Sequence, residues 1–157
     1  MEQDRGKIKL VVRNRKARYN YHISSTVEAG IELRGTEVKS LRGGKVQMAD
    51  AYANIENGQV FLKNLHISPY QQTGAENHDP TRTRRLLLHK REIRKLEIKT
   101  LQQGMTLIPL SIYFKGKLAK VELALAIGRK KYDKRQAIAK AEADRRIKQA
   151  TRKDVER

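Results

Sequence analysis

The chain has 157 residues and carries 35 lysines and arginines against 17 aspartates and glutamates, a formal net charge of +18. A positive excess of this size indicates a polyanionic partner, either nucleic acid or an anionic membrane face. The absence of cysteine excludes disulfides, zinc ribbons and thiol catalysis. Because the sequence has neither a signal-peptide core nor a long apolar stretch, it predicts a soluble, cytoplasmic protein.

The first third of the chain is predicted to form short strands and one short helix. Alternating side chains predict three strands, at residues 7–12, 19–26 and 28–35. Residues 36–44 predict a short helix, in which Thr36 is expected to cap the first turn and Gly43 to end the last one.

Asn57 and Gly58 form the clearest local signal in the sequence, since they separate two alternating runs. This dipeptide readily adopts the positive φ angles of a tight turn and therefore predicts a β-hairpin. The segment 68–85 that follows is polar, contains two prolines and predicts a long loop. A loop of this length inside a compact domain is either functional or mobile.

Apolar side chains then indicate one amphipathic helix that begins near Leu86. Leu86, Ile93, Leu96 and Leu101 would fall within an arc of about 140° on a helix, so they are expected to pack together on a sheet. Gly104 is expected to end this helix.

Two further strands, at residues 106–114 and 119–127, are predicted to pair around Gly116. Alternation places four side chains of each strand on one face: Ile108, Leu110, Ile112 and Phe114 on the first, and Val121, Leu123, Leu125 and Ile127 on the second. The opposite faces mix polar residues with small alanines, which predicts a sheet covered mainly on one side.

The order of these elements predicts the fold class. About six short strands occur without a βαβ rhythm, so a doubly wound parallel sheet is not expected. The fold is predicted to be mainly β, an OB-like antiparallel barrel with two or three short helices, because closure protects the edges of short strands. An open α+β sheet is the alternative.

Residues 129–157 form a tail of different composition, with twelve lysines and arginines against five aspartates and glutamates. Ile138 and Ile147 would lie on opposite sides of a helix, so the tail has no apolar stripe and is predicted to be disordered when free. Its alanines, and Asp133 and Gln136 as a capping pair, predict a helix once a polyanion neutralises it. The alternative is a tail that only solubilises the protein.

Catalysis finds little support in the sequence. The four histidines (22, 66, 78 and 89) lack the spacing of metal ligands, and neither a P-loop nor a dinucleotide-binding glycine motif is present. His78 and Asp79 could act as an acid–base pair, but an aspartate before Pro80 is typical of a turn. The sequence therefore predicts a protein that is not an enzyme and that needs no cofactor or metal.

Clustered positive charges give a stronger indication. Residues 82–95 contain seven lysines and arginines, and residues 13–18 contain four more. Such runs neutralise phosphates, although part of any charge run is ordinary solvated surface. The chain has no tryptophan and only eight tyrosines and phenylalanines, so we expect recognition of RNA backbone and shape rather than extensive base stacking.

Several blocks of the sequence resemble the SsrA-binding protein family. They are "NRKAR", "EAGIELRGTEVKSLRGGK", "NHDPTRTRRLLLHKREIRKL", "LIPLSIYFKGK" and "KVELALAIGRKKYDKR", which together span about residues 14–135. The resemblance implies an OB-like barrel that binds the tRNA-like domain of transfer-messenger RNA and delivers this RNA to stalled ribosomes. Elongation factor Tu is the implied third member of the delivery complex, and the protein is expected to be a monomer.

The resemblance also implies which residues bind RNA. The family depends on the positions of Asn14, Glu28 and Leu87, although core packing is the alternative role for Leu87. Polar residues of the same blocks complete the candidate set: Arg15, Lys16, Arg18, Glu37, Lys39, Asn77, His78, Arg82, Arg84 and Arg85. The alternative function is that of a generic basic OB-fold RNA-binding or ribosomal protein.

For the tail, the resemblance implies a ribosome-binding segment. The chain is expected to divide into a barrel at 1–128 and a tail at 129–157 that becomes helical in the mRNA channel of the small subunit, beyond the decoding centre. The candidate ribosome-binding residues are Arg129, Lys130, Lys131, Tyr132, Asp133, Lys134 and Arg135.

Overall fold

The computed structural model describes residues 7–72 and 76–155. In chain order its elements are β1 (Ile8–Arg13), α1 (Ala17–Asn20), β2 (Tyr21–Ile31), α2 (Gly35–Arg42), β3 (Val46–Gln47), β4 (Tyr52–Glu56), β5 (Gln59–Lys63), β6 (His66–Ile67), β7 (Arg84–Leu87), α3 (Lys90–Gln103), β8 (Thr106–Lys115), β9 (Leu118–Gly128) and α4 (Arg129–Val155).

Six strands close into a barrel. Their order around the ring is β8, β4, β5, β7, β2 and β9, and β9 pairs again with β8. All pairings in the described part of the chain are antiparallel. β1 pairs with the second half of β8, on the edge that β4 joins at Leu107. The predicted mainly β, OB-like antiparallel barrel with two or three short helices is therefore confirmed, and the described part of the barrel has three, α1 to α3.

The barrel interior is filled by the side chains that alternate inward along its strands. Val60, Leu62, Ile112, Val121 and Leu123 are all fully buried there. α3 lies at the end where β7 stops and β8 begins, and α2 lies at the other end, beside the start of β7. β9 ends at the same end as α3, so the chain leaves the barrel there as α4.

The prediction of a helix that begins near Leu86 was wrong. Leu86 belongs to strand β7, where it pairs with Ile31 and Val60, and α3 begins only after the cap residue His89. Ile93 and Leu96 are buried as expected, but Leu101 is 78% exposed. Gly104 does end the helix, with a left-handed φ of 61°.

The prediction that four alternating side chains of β8 share one face was also wrong. The register of β8 against β9 shifts between Pro109 and Ser111, at a proline that has no N–H to donate to the ladder. Ile112 and Phe114 consequently face the interior, whereas Ile108 and Leu110 lie in a second apolar cluster. That cluster also contains Ala17, Ala124 and Ala126, so helix α1 covers part of the barrel's outer surface.

The predicted turns agree with the structure more closely than the predicted helix starts. Asn57 and Gly58 have φ angles of 53° and 73° and join β4 to β5, as expected for a tight hairpin. Gly43 is the C-cap residue of α2 and ends the helix, as predicted. Thr36 is not the N-cap as predicted. Arg34 is the N-cap residue, and its N–H donates to the carboxylate of Glu37 over 2.8 Å.

The tail is one helix, α4, of 27 residues. It begins directly after β9, so Asp133 lies inside the helix and does not cap it as predicted. Apart from the half-buried Tyr132, the side chains at 129–152 are exposed. The predicted disorder of the free tail stays a prediction. Within residues 7–72 and 76–155, no helix is both long and apolar enough to cross a membrane.

Candidate nucleic-acid interface

Asn14 lies where β1 meets the outside of β8. Its backbone N–H donates to the carbonyl of Leu110 over 2.7 Å, and its Nδ2 donates to the carbonyl of Pro109 over 3.2 Å. Both acceptors flank the β8 bulge, so the bulge itself holds the asparagine in place. Asn14 lines a cleft of about 430 Å³ together with Arg15, Arg18, Ser111 and Glu122.

Glu28 projects from the outside of β2 and is partly exposed. Its carboxylate accepts a hydrogen bond from the hydroxyl of Tyr113, and the ammonium of Lys115 lies 3.7 Å away. The Tyr113 hydrogen bond lowers the pKa of the Glu28 carboxyl below its usual value; desolvation partly opposes this, and Lys115 and Lys120 reinforce it. Glu28 is therefore an ionised hydrogen-bond acceptor with a fixed orientation.

Leu87 lies on the same outer side of the barrel, at the end of β7. It pairs with Gly30 of β2, and its side chain is 47% exposed. A Cβ atom at Gly30 would come within 3.2 Å of the Leu87 Cβ, so the glycine provides room for the leucine to cross β2. The core position of this strand belongs to Leu86, which is only 2% exposed.

The strand register connects these three positions into one surface. Glu28 pairs with Glu122, whose carboxylate accepts a hydrogen bond from Ser111 over 3.1 Å, next to the cleft of Asn14. Tyr113 bridges from β8 back to Glu28, and Leu87 is diagonal to Glu28 on the adjacent strand. We call this surface the outer polar face; it comprises Asn14, Glu28, Leu87, Ser111, Tyr113 and Glu122. The exposed side chains of Arg15, Lys16 and Arg18 lie on the segment that leads away from Asn14.

Glu37, Arg82 and Arg84 form an ion-pair network beside α2. The Glu37 carboxylate is fully buried and accepts hydrogen bonds from Arg84 Nε and, over 2.6 Å, from Arg82 Nη2. Burial alone would raise the pKa of Glu37, but the hydrogen bonds from Arg82, the Arg34 N–H and Arg84 together lower it. Arg84 is also fully buried, and it donates to the carbonyls of Leu65 and Pro80. Burial lowers the pKa of Arg84.

Asn77 and His78 close the loop that precedes β7. The Asn77 amide bonds both backbone groups of Tyr70, at 3.1 and 3.0 Å. His78 is 4% exposed, and its Nε2 lies 2.9 Å from the carbonyl of Ile67. A carbonyl can only accept, so Nε2 carries the hydrogen and Nδ1 accepts from the hydroxyl of Thr36 at 2.8 Å. Asp79 bonds the N–H of Thr81, as expected for a turn.

Lys39 and Arg85 differ from the buried network because both reach solvent. The Lys39 ammonium lies 5.4 Å from the centre of the Tyr70 ring, within the range of a cation–π interaction. Arg85 pairs on the surface with Glu32, so its guanidinium already has one acidic partner. A surface pair of this kind contributes little to stability and can be exchanged for a phosphate.

The first two turns of α4 contact the barrel through three side chains. Arg129 donates to the carbonyl of Arg18 over 2.7 and 3.2 Å. The ring of Tyr132 stacks on His22 with centroids 4.0 Å apart, and Arg135 Nη2 donates to the carbonyl of Gln103 over 2.7 Å. The remaining candidates of this segment, Lys130, Lys131, Asp133 and Lys134, are exposed.

Several residues of these sites were not in the set predicted from the sequence. On the outer polar face they are Ser111, Tyr113 and Glu122, which the alternation of β8 and β9 placed on the polar side without indicating that they meet Glu28. His22 is the fourth such residue: it stacks on Tyr132, and nothing in the sequence indicates this contact. Among the residues that the structure describes, no three histidines or acidic residues group as metal ligands.

Comparisons with known proteins agree on one family. The family model of the SmpB protein matches residues 11–153. The SsrA-binding protein of Halothermothrix orenii is 61% identical over 91% of this chain and 92% of its own length. That of Geobacillus thermodenitrificans is 53% identical over 94% of this chain and 96% of its own.

A solved structure gives the same result for the fold. It is described as "tmRNA-SmpB: a journey to the center of the bacterial ribosome", and one of its chains is 53% identical to this one. The two superpose with a TM-score of 0.62 over 74% of this chain and 82% of the other. With a family model spanning most of its length and relatives above 50% identity, this chain belongs to the SmpB family of SsrA-binding proteins.

Proposed function

We propose that this protein binds the tRNA-like domain of transfer-messenger RNA and delivers it to stalled ribosomes for trans-translation, with elongation factor Tu in the delivery complex. The observation that carries the proposal is the outer polar face. Asn14, Glu28 and Leu87 are up to 73 positions apart in the sequence, yet they lie on one surface of the barrel. The family resemblance implies RNA binding through these same three positions.

Each part of the outer polar face offers RNA a different contact. The ionised Glu28 carboxylate accepts hydrogen bonds from base amino groups or ribose hydroxyls, and the Tyr113 hydroxyl fixes its direction. Leu87 offers an exposed apolar contact to a base or a sugar. Arg15, Lys16 and Arg18 supply positive charge for the adjoining phosphates, and this part of the affinity decreases with salt.

The buried candidates support RNA binding indirectly in this proposal. Glu37, Arg84 and His78 have their polar groups occupied by the protein itself, so they act as positioning residues. Arg82 is half-buried on the same network and shares this role. Lys39 and Arg85 remain candidates for phosphate contact because their charged groups reach solvent.

The tail completes the proposed mechanism. We assign residues 1–128 to the RNA-binding barrel and 129–157 to a tail that is helical in the mRNA channel of the small subunit and, beyond its three barrel contacts at 129–135, disordered when free. The exposure of its apolar side chains supports this assignment, because Ile138 and Ile147 are 50% and 64% exposed on α4. A helix without a buried face gains its stability from a partner, and the net positive charge of this one favours ribosomal RNA.

The same proposal fixes what kind of protein this is. It is a non-enzymatic RNA-binding protein of the cytoplasm that acts as a monomer, and its chemistry is recognition rather than bond cleavage. The roles of His78 and Asp79 support this, because both ring nitrogens of His78 are bonded to Thr36 and Ile67, and Asp79 accepts from the Thr81 N–H in the following turn.

A competition experiment tests the proposal. The full-length protein is bound to labelled tRNA-like domain, and unlabelled tRNA-like domain is compared with unstructured RNA of equal length as competitor. We expect only the folded RNA to compete well, and Glu28→Ala to weaken binding. Glu56→Ala, at a similarly exposed glutamate of β4, is the matched control and should bind like the wild type. Equal competition by both RNAs would instead indicate a generic basic RNA-binding protein.

A further inference from the structure

A second cleft lies at the α2 end of the barrel, away from α4. It has a volume of about 400 Å³ and is lined by the last turn of α2, Lys45 and residues 68–72. We propose that this Tyr70 cleft binds one nucleotide of the bound RNA, with the base against Tyr70 and a phosphate between Lys39 and Lys45. The inference deepens the proposed function and rests on it.

Positive charge in the Tyr70 cleft is not neutralised by the protein. Within residues 7–72 and 76–155, neither Lys39 nor Lys45 has a carboxylate within ion-pair distance. The carbonyls at the end of α2 are also satisfied, since those of Lys39, Ser40 and Leu41 accept from the N–H groups of residues 43–45 over 3.0–3.2 Å. The capped helix end therefore presents two ammonium groups without a carboxylate partner, that of Lys39 lying over the Tyr70 ring, and it is these two charges that attract an anion.

Ser40 supplies an independent indication of a ligand. Ser40 lines the cleft and is only 3% exposed, and its buried Oγ, just beneath the cleft surface, has no hydrogen-bond partner in the described structure. A buried hydroxyl without a partner costs about 1–3 kcal/mol, so proteins rarely retain one without a use for it. A phosphate or ribose oxygen in the cleft would accept the missing hydrogen bond.

Tyr70 provides the stacking surface, and the loop around it is tied to the barrel. Asn77 bonds both backbone groups of Tyr70, and the neighbouring His78 is anchored to α2 through Thr36 and to β6 through Ile67. The Tyr70 hydroxyl donates to Gln72 over 3.2 Å. These bonds fix the ring relative to Lys39, and they give Asn77 and His78 a positioning role toward RNA.

An RNA nucleotide matches all of these features together. An aromatic ring stacks on any base, two ammonium groups bind phosphate, and a buried hydroxyl selects an oxygen acceptor. Stacking on one aromatic ring contributes about 1–3 kcal/mol, which corresponds to roughly 5- to 150-fold in affinity. A cleft of this size holds one base with its sugar, so it would add to the outer polar face and not replace it.

The decisive test uses Ser40→Ala in the full-length protein. Because the variant removes an unpaired buried hydroxyl, we expect its free energy of unfolding, measured in urea, to equal or slightly exceed that of the wild type. Its dissociation constant for the tRNA-like domain should nevertheless rise about fivefold or more. Normal stability combined with normal RNA affinity would overturn the inference.

Substitutions at two further positions of the cleft separate stacking and charge from folding. Tyr70→Ala should weaken binding about tenfold or more, whereas Tyr70→Phe should retain more of the affinity because its ring remains. Lys45→Ala should weaken binding more than Lys99→Ala, which removes an exposed lysine from α3 at the other end of the barrel. Lys45→Ala should also make the plot of log association constant against log salt concentration less steep by about one, as expected for one lost phosphate contact.

The outcomes distinguish this inference from the proposed function. Wild-type affinity in Ser40→Ala, Tyr70→Ala and Lys45→Ala, with weak binding by Glu28→Ala, would exclude the nucleotide in the cleft but keep the function. Equal binding of folded and unstructured RNA by the wild type would contradict the function itself. A photoreactive phenylalanine analogue at position 70 should crosslink to one short stretch of the tRNA-like domain. Displacement of the RNA by millimolar AMP would indicate a free-nucleotide site instead.

Discussion

Glu37 shows how one buried carboxylate organises the α2 end of the barrel. It is the acidic partner of both Arg82 and the fully buried Arg84. We predict that Glu37→Gln lowers the free energy of unfolding at pH 7 by about 3 kcal/mol, because Arg84 is then buried without a full counter-charge. Urea unfolding followed by circular dichroism measures this, and Glu56→Gln, at an exposed salt bridge, is the control and should cost less than about 1 kcal/mol.

The stability difference between these chains should also depend on pH. The folded state lowers the pKa of Glu37 below its ordinary value of 4.5. The contribution of ionised Glu37 to the free energy of unfolding is therefore complete above about pH 5, and it is lost as the pH falls through 4.5 toward the folded-state pKa. We expect the difference in free energy of unfolding between wild type and Glu37→Gln, the stability gap, to stay constant from pH 7 to 5 and to narrow below pH 4.5. A gap that widens in acid would contradict the assigned sign.

Tyr113 is the residue that orients Glu28 on the outer polar face. Burial, reinforced by the hydrogen bond to Glu28, raises the pKa of Tyr113, so its hydroxyl remains a donor at any physiological pH. Tyr113→Phe should leave the fold intact and weaken binding of the tRNA-like domain roughly fivefold, the equivalent of one hydrogen bond of about 1 kcal/mol. Fluorescence anisotropy measures this. Tyr52→Phe, at an exposed position of β4, should bind normally; an equal loss there would implicate nonspecific effects.

Neighbouring residues in the sequence explain why the site could be predicted only in part. Arg84 and Arg85 look alike in a basic run, but they lie on opposite faces of β7, one fully buried and one on the surface. Leu86 and Leu87 divide in the same way between core and outer face. The family resemblance implies RNA binding by Asn14, Glu28 and Leu87, but only the strand register shows that they lie on one surface.

At the scale of elements, boundaries set by local chemistry were predictable and those set by pairing were not. The Asn57–Gly58 turn and the Gly104 helix end follow from backbone preferences within a few residues. Strand β7 is short, so only its partners β2 and β5 distinguish it from a first helical turn. The β8 bulge likewise depends on the register with β9, and it reverses the inward side of the strand at Pro109.

The start of α4 is an element whose contacts can be tested separately from its distal part. The stack of Tyr132 on His22 lies at the centre of its three contacts with the barrel. We predict that His22→Ala increases hydrogen exchange of the amides at 129–135 several-fold, while the exchange of barrel amides is unchanged. His66→Ala lies away from α4, in β6, and serves as the control. Unchanged exchange at 129–135 would show that the stack does not hold the tail.

At the scale of the whole molecule, the sequence allowed the barrel to be predicted but not how it closes. Short alternating strands without βαβ units favour closure, and the structure confirms the closed barrel. Closure itself requires β8 to carry β9 on one edge and both β1 and β4 on the other. Pairings between residues as distant as Ala53 and Leu107 leave no periodic trace in a single sequence. Charge, in contrast, is readable directly, and it indicated the polyanionic partner.

The separation of barrel and tail leads to the last prediction. Beyond Arg135 the described side chains of α4 are exposed, and two of the three contacts at its start are made by the exposed Arg129 and Arg135, the third by the half-buried pair Tyr132 and His22. The free energy of unfolding of a chain that ends at Gly128 should therefore be within about 1 kcal/mol of that of the full-length protein. It should retain most of its affinity for the tRNA-like domain, because the outer polar face is complete. It should nevertheless fail to support trans-translation, measured as tag addition in a stalled translation reaction.

A chain that ends at Arg135 retains the three contacts and is the matched comparison. If tag addition requires the distal helix in the mRNA channel, both truncated chains lose it. Loss of RNA affinity together with tag addition would place the tail in the primary RNA site and contradict the division of the chain at residue 128.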